Sequence, residues 1–540
     1  MSFSFIKYMS TEKIFDICIV GSGITGSLVA DHFLSKGLKV IMLERGNDIY
    51  LPDTPKECWH ELWQQKPDNP NISSNYWHGA EKYFDDLVEI ENVNREFAFF
   101  YNMKYGLGGS GAVWSAAAWR YTPEDFKTQS LFGYGRNWPF TYEELSPYYD
   151  RVEQIIFTAG PQNEASWPWK NNYKYPAFKQ SYLDKVVKKA FSPEFDIVPT
   201  AFSVKNLPPI EGGCVGAKTC VEKCPANARF RPDLHILSKH FDNTDLVLLM
   251  GTPCLKINLA KNQAVESVSI LKDGKPSEVK AKYYFLAANT IENLRILHNS
   301  ADTVANSSGL LGHFFASHGV VAMSIILHDR LFVSRGRPTT SSAINTLNHK
   351  KRDKFNAYIM EIWNFDWGIG MTPHAILRNI RKRERHWGVS LFNKVKEADY
   401  RFAATLIFEM EMQQRNKVML SNVKDKFGLP LAKVDFKLGE RDELTFDTLK
   451  HKTVEMLRQK KGVKDINISG YGLNGNHPLG GYVCGDDPKN SVVDPFMRSH
   501  DHNNLYILGG GAFNSISALN PTHTIAALTL KALDDKRISF

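Results

Sequence analysis

The stretch FDICIVGSGITGSLVADHFLSKGLKVIMLERG, residues 15–46, decides the fold. Ile17 to Val20 form a short apolar run suited to a strand buried on both faces. Gly21, Gly23 and Gly26 then match G-x-G-x-x-G. The first glycine allows a sharp turn, the second lets backbone approach a pyrophosphate, and the third lets the helix pack close to the strand. Free amides at the helix start can hold phosphates. KVIMLE returns as a second strand ending in Glu44, whose carboxylate can accept hydrogen bonds from both ribose hydroxyls. Together these features predict a Rossmann-like α/β unit that binds an adenine dinucleotide. They do not separate NAD from FAD.

The bulk properties bound the rest. A chain of 540 residues predicts two domains. With 43% hydrophobic and 23% charged residues it is globular, and a net charge of +8 falls short of a nucleic-acid footprint, so no nucleic-acid partner is expected. The densest basic stretch, RNIRKRERHW (378–387), reads as a solvated helix face. No run of eighteen apolar residues predicts a membrane span, and the first residues lack the features of a secretory signal, so the default compartment is the cytoplasm. Seven cysteines, an odd number, argue against a disulfide framework. Cys18, Cys58, Cys254 and Cys484 are scattered and read as packing residues.

A second glycine-rich turn lies near the other end. NLYILGGGA (504–512) reads as a strand running into Gly510 and Gly511, and THTIAALTLKALD (522–534) has helical spacing of Ile525, Leu528 and Leu533. A glycine turn at each end of the chain suggests one extended cofactor held by both.

The motifs GLGGSGAVW (106–114), FLAANTIENLRIL (285–297), HPLGG (477–481), DPKNSVVD (487–494) and NPTHT (520–524), with the first fingerprint, resemble those of the glucose–methanol–choline (GMC) family of FAD-dependent alcohol oxidoreductases. The resemblance spans nearly the whole chain. GLGGSGAVWSAAAWRYTPEDF and WPFTYEELSPYYDRVE (138–153) are similar to the branch of sugar and sugar-acid dehydrogenase flavoproteins and pyranose oxidases. The resemblance implies an FAD domain from 14–135, 180–318 and 464–540, and an α+β substrate domain on an antiparallel sheet from 319–463 with parts of 136–179. QQRNKVMLSNVKDKFGLPLAKVDFKL (413–438) alternates strand-like runs, as a sheet covering the flavin face would.

Oxidising an alcohol requires a base for the hydroxyl proton while the flavin takes the hydride. The resemblance implies His477 as that base, Asn520 as its hydrogen-bonding partner, and Asn476 as a substrate contact. It also implies that Gly108, Gly109 and Ser110 pass along the flavin and pyrophosphate, that Cys254 and Leu255 meet the adenine, and that Pro521 and Thr522 approach the flavin ring. His523 matches no catalytic position and reads as structural. Three departures have consequences. Val113 stands where some relatives carry a flavin-linked histidine, which implies non-covalent FAD. Gly509–Gly511 replaces an Asp that holds the ribityl chain in many members. Asn289 replaces a glycine and must accept a positive φ.

GGCVGAKTCVEKCPANARF (212–230) carries Cys214, Cys220 and Cys224-Pro225 as C-x5-C-x3-C-P. The full spacing resembles that of bacterial FAD glucose dehydrogenase catalytic subunits and implies a [3Fe–4S] cluster. Free buried thiols, or zinc held with His235, are the alternatives. A cluster beside the flavin implies a dehydrogenase that passes electrons to a protein acceptor. In that branch the partners are a small helper subunit, which carries the export signal to the periplasm, and a cytochrome c. An oxygen-using oxidase without a cluster is the competing reading. The implied substrate is a sugar or other polyol, and IWNFDWGIG (362–370) is aromatic enough to stack on a sugar ring.

Overall fold

In the computed structural model, the first glycine turn leaves the middle strand of a five-stranded parallel sheet. The structure describes residues 14–47, 90–162, 173–217, 220, 224–333, 335–347, 349–365, 377, 380–381 and 385–540. The sheet runs in the order Leu505–Ile507, Ala281–Leu286, Phe15–Val20, Val40–Leu43 and Leu246–Leu249. Its register aligns Val20 with Leu43 on one side and Leu286 on the other, and carries on to Leu249 and Ile507. Five carboxyl ends therefore finish on one edge, where an open parallel sheet places its ligand. The strand VIML is fully buried, as a strand covered on both faces must be. Helices Ile24–Leu34 and Thr522–Leu533 pack against each other, so the two ends of the chain share one layer.

Close backbone approach fixes this edge. Gly21 has φ +102°, and a Cβ there would lie 2.6 Å from the Ala287 carbonyl oxygen. A Cβ on Gly26 would lie 2.0 Å from the Gly21 oxygen. Only glycine lets the helix sit this near the turn.

The second layer is a six-stranded antiparallel sheet in the order Val463–Leu473, Gly319–Leu327, Arg401–Phe408, Tyr358–Trp363, Ser341–Ala343 and Ile197–Pro199. The architecture is thus the expected α/β dinucleotide unit with a second, antiparallel-sheet unit. Two strands differ from the expected division: Val463–Leu473 and Ile197–Pro199 both pair into the antiparallel sheet, although the sequence boundaries put nearly all of both in the FAD domain. The 413–438 segment does form two strands, Lys417–Lys424 and Pro430–Asp435, but they pair with each other in a separate small sheet whose third strand, Ile90–Asn92, lies beside Pro430–Asp435. Its alternation reported strands without reporting which sheet they join.

A buried ion cluster locks the layers together. Arg352 Nη2 donates to Asp125 (2.5 Å) and to Glu409 (2.7 Å), and the Tyr134 hydroxyl donates to Glu409 (2.5 Å). Cys18, Cys254 and Cys484 are buried as expected, and Cys58 lies outside the described residues. Within the basic stretch, Arg381 and Arg385 are described, whereas Arg378, Lys382 and Arg383 are not. Among the described residues no helix is long and apolar enough to cross a membrane.

Gly26→Ala must push the helix off the turn. It is expected to cost about 1–3 kcal/mol, measured as a lower urea midpoint of the flavin-free protein. An unchanged midpoint contradicts the packing described here.

Candidate active site

A cavity of about 740 Å³ opens where the aligned strand ends face the antiparallel sheet. Its first half is lined by Gly21, Gly23, Glu44, Gly109, Ser110 and Cys254. Glu44 is buried, and burial raises its pKa; hydrogen bonds oppose that rise. Its Oε2 accepts from the Ser22 amide (3.1 Å) and hydroxyl (2.6 Å), and its Oε1 accepts from the Gly46 (2.9 Å) and Gly106 (3.1 Å) amides. With four donors on one carboxylate, Glu44 ties the glycine turn to the 104–109 loop as well as facing the cavity. Gly23 is the open point of this cradle: a Cβ there would meet nothing within 4 Å. The exposed turn, the helix amides behind it and the volume suit a dinucleotide such as FAD.

The second half is lined by Gly510, Pro521, Thr522, Asn476, His477 and Asn520, which come from the far end of the chain. Behind His477 stands His318, fully buried and absent from the sequence expectations. His318 Nε2 lies 2.6 Å from the Ser517 carbonyl oxygen, and its Nδ1 lies 2.9 Å from His477 Nδ1. Burial drives the His318 pKa down to about 4, so the ring is neutral. A carbonyl only accepts, so His318 carries its hydrogen on Nε2 and a lone pair on Nδ1. His477 must then donate from Nδ1, which leaves the lone pair on its Nε2. Asn474 Nδ2 approaches the same Nδ1 at 3.2 Å, the longer contact. Burial, and then His318, hold the His477 pKa well below its ordinary value. The imidazole is therefore in its proton-accepting form at neutral pH.

Asn520 is hydrogen-bonded to Glu361, a second group that sequence reading missed. Its Oδ1 is buried without a partner among the described residues. The signal for Glu361 was present: one acid in the buried strand YIMEIW, which also brings Trp363 to the cavity. Trp367 of the quoted aromatic stretch lies outside the described residues. Gly26, Gly108, Gly511 and Leu255 do not line the cavity. Gly108 and Gly511 lie behind it, where a Cβ would strike Asp233 or Tyr482, and Leu255 accepts a hydrogen bond from Asn299. His523 is fully buried, with its Nδ1 on the Ala118 carbonyl. Asn289 has φ +80° and caps the following helix through Oδ1.

The cysteine loop lies behind the cavity wall. Cys214 and Cys224 pack on the same small core as Trp114 and Ala117, and both of the latter line the cavity. Burial, then the neighbouring Cys214 and Cys224, push the Cys220 thiol up to about 11 against the pull of Arg337. Arg337 Nη1 donates to Cys214 Sγ (3.6 Å), while its Nε and Nη2 are buried without partners among the described residues. Arg229 donates to the carbonyls of Ala112 (2.5 Å) and Trp114 (3.1 Å) and feels Cys224 and Cys220 electrostatically. Two guanidiniums facing three thiols suit a ligand set that carries negative charge. Among the described residues, no three His, Cys, Asp or Glu side chains are gathered closely enough to hold a metal ion. His235 is engaged by backbone through both ring nitrogens, which disfavours the zinc alternative.

A cradle for a dinucleotide that ends at an imidazole poised to accept a proton is the machinery of an oxidoreductase. Residues 412–529 match the family model described as GMC oxidoreductase. The chain is 27% identical to the fructose dehydrogenase large subunit of Gluconobacter japonicus, over 97% of this chain and 98% of that protein. It is 25% identical to paromamine 6'-oxidase of Streptomyces fradiae, over 96% of this chain and 91% of that one. It is 22% identical to the gluconate 2-dehydrogenase flavoprotein of Pantoea cypripedii, over 96% and 92% respectively. In fold it is similar to the crystal structure of pyridoxine 4-oxidase from Mesorbium loti, with TM-score 0.63 at 15% identity, over 97% of this chain and 100% of that one. The Aspergillus oryzae formate oxidase fold gives TM-score 0.67 at 12% identity, over 98% and 99%. Residues 412–529 are thus similar to the GMC oxidoreductases, and nearly the whole chain is similar to oxidoreductases of sugars and sugar acids.

Gly23 separates binding from folding. Gly23→Ala is expected to keep the urea midpoint of the flavin-free protein while reducing bound flavin at least tenfold, read from the visible to ultraviolet absorbance ratio. Full flavin content in the variant contradicts the assigned cradle.

Proposed function

We propose that the protein is a dehydrogenase of sugars or polyols in which His477 removes the hydroxyl proton. The observation that carries this reading is the chain Ser517 carbonyl–His318–His477, which fixes the tautomer of an imidazole lining the cavity. Bound in the cradle, FAD supplies the hydride acceptor. His477 Nε2 takes the proton, and the retained Nδ1–H keeps its bond to His318, so the ring stays oriented after protonation. Asn520, fixed by Glu361, offers its Oδ1 to a neighbouring substrate donor, and Asn476 borders the same space. Val113 lines the cavity and has no nucleophile, which favours non-covalent FAD.

The substrate class rests on the relatives, whose names join fructose, gluconate and paromamine. Those names include both dehydrogenases and an oxidase, so the cysteine loop carries the choice between them. Cys214, Cys220 and Cys224 are not gathered as the ligands of a single ion would be, and would have to draw together around a [3Fe–4S] cluster able to carry single electrons away, with Arg337 and Arg229 offsetting its charge. Arg229 reaches from the cysteines to the loop that lines the cavity, which favours an exit through the protein to a cytochrome c, with a small helper subunit.

His477→Ala is expected to retain FAD and to slow anaerobic flavin reduction by roughly 10²–10⁴-fold; near-normal reduction refutes the base. Cys220→Ser is expected to lose iron and sulfide and to block reduction of a cytochrome acceptor while flavin reduction persists. Coupled activity at the original rate in an iron-free variant removes the cluster from the account.

A further inference from the structure

Strand Tyr358–Trp363 turns Glu361 and Trp363, two residues apart, to the same face and into the cavity. Glu361 is only 7% exposed. The wall beside it is made of Val320, Ala322 and Ile407 together with the hydroxyl-bearing Thr405, the cross-strand partner of Glu361, and Ser469, and none of these carries a charge. Among the described residues no Lys, Arg or His pairs with it, and its hydrogen bond goes to Asn520. Burial pushes its pKa up to about 7, the response of a carboxyl that lacks a cation. The neighbouring Asn520 Oδ1 is a buried acceptor without a donor among the described residues. Trp363 is held by a bond from Nε1 to Thr405 Oγ1 (3.2 Å).

An open amide oxygen and a buried carboxyl without a cationic partner, both beside an indole, suit a ligand that brings several N–H or O–H donors. A hydroxyl would satisfy one acceptor but would leave the buried carboxylate charge unbalanced. An ammonium supplies three donors and the balancing charge, and it is attracted to an indole face. We infer that Glu361, Trp363 and Asn520 form a subsite for a protonated amine, so the substrate is an alcohol bearing an ammonium group, an amino sugar or amino polyol. This subsite rests on the alcohol-oxidation reading for its place in turnover, but it binds independently of it.

The test is calorimetric titration of the FAD-loaded enzyme with matched pairs at about pH 8, where aliphatic amines stay protonated. The pairs are 1-amino-1-deoxysorbitol against sorbitol, and 6-amino-6-deoxyglucose against glucose. The amino member of a pair is expected to bind at least tenfold tighter. Glu361→Gln, with flavin content confirming its fold, should erase that preference, and Trp363→Leu should reduce it. Equal binding of both members by the parent enzyme, or a preference that survives Glu361→Gln, overturns the subsite. Parallel anaerobic mixing separates the two readings. Preferential amine binding without flavin reduction keeps the subsite and removes alcohol oxidation, whereas flavin reduction without the preference does the reverse.

Discussion

The constraint on which the structure depends is the approach of three backbone segments at one sheet edge: Gly21 beneath Ala287, Gly26 against Gly21, and Gly109 against Gly23. A Cβ on Gly109 would lie 3.2 Å from the Gly23 Cα, so the glycine turn and the 104–109 loop are in contact before any cofactor binds. Glu44 cross-links the same two segments through four accepted hydrogen bonds. The cradle is therefore preorganised, and little ordering remains to be done when a dinucleotide enters. The aligned register then brings the turn after Leu505–Ile507 to the same edge, which is how residues some five hundred positions apart share one cavity.

The chemistry at the other end follows from desolvation. An imidazole surrounded by protein loses its charged form first, and a second neutral imidazole behind it can only accept once its Nε2 is committed to a carbonyl. The His318 ring therefore does for His477 what a carboxylate does in many acid–base pairs, but without adding charge. A neutral orienting group leaves His477 with a low pKa, so it is unprotonated at rest and, in the proposed role of base, would hold a new proton weakly. Glu361 is the opposite case, a carboxyl whose burial near an amide keeps it poised close to neutrality.

Much of this was legible in the sequence. The 15–46 stretch reads correctly because strand, glycine turn, helix and terminal acid are local, and their roles follow from sterics. The 476–534 stretch reads nearly as well for the same reason. The hairpin at 417–435 was visible as alternation, but its sheet was not, since pairing partners depend on contacts distant in sequence. His318 and Glu361 were missed because their roles come from Ser517, His477 and Asn520, all more than a hundred residues away. The acid inside YIMEIW was the available sign: a lone charge on a buried strand needs a reason.

In the proposed reaction, an alcohol held in the cavity that both chain ends grip gives its proton to His477 as its hydride departs. The measurement closest to it is the rate of anaerobic flavin bleaching by excess sugar or polyol, amino sugars included, as a function of pH. A bleaching rate that is level at and above neutrality and falls on acidification, as the Nε2 lone pair is lost, is the predicted result. A flavin that stays oxidised with every such alcohol, or a rate that rises as the pH falls, contradicts the account.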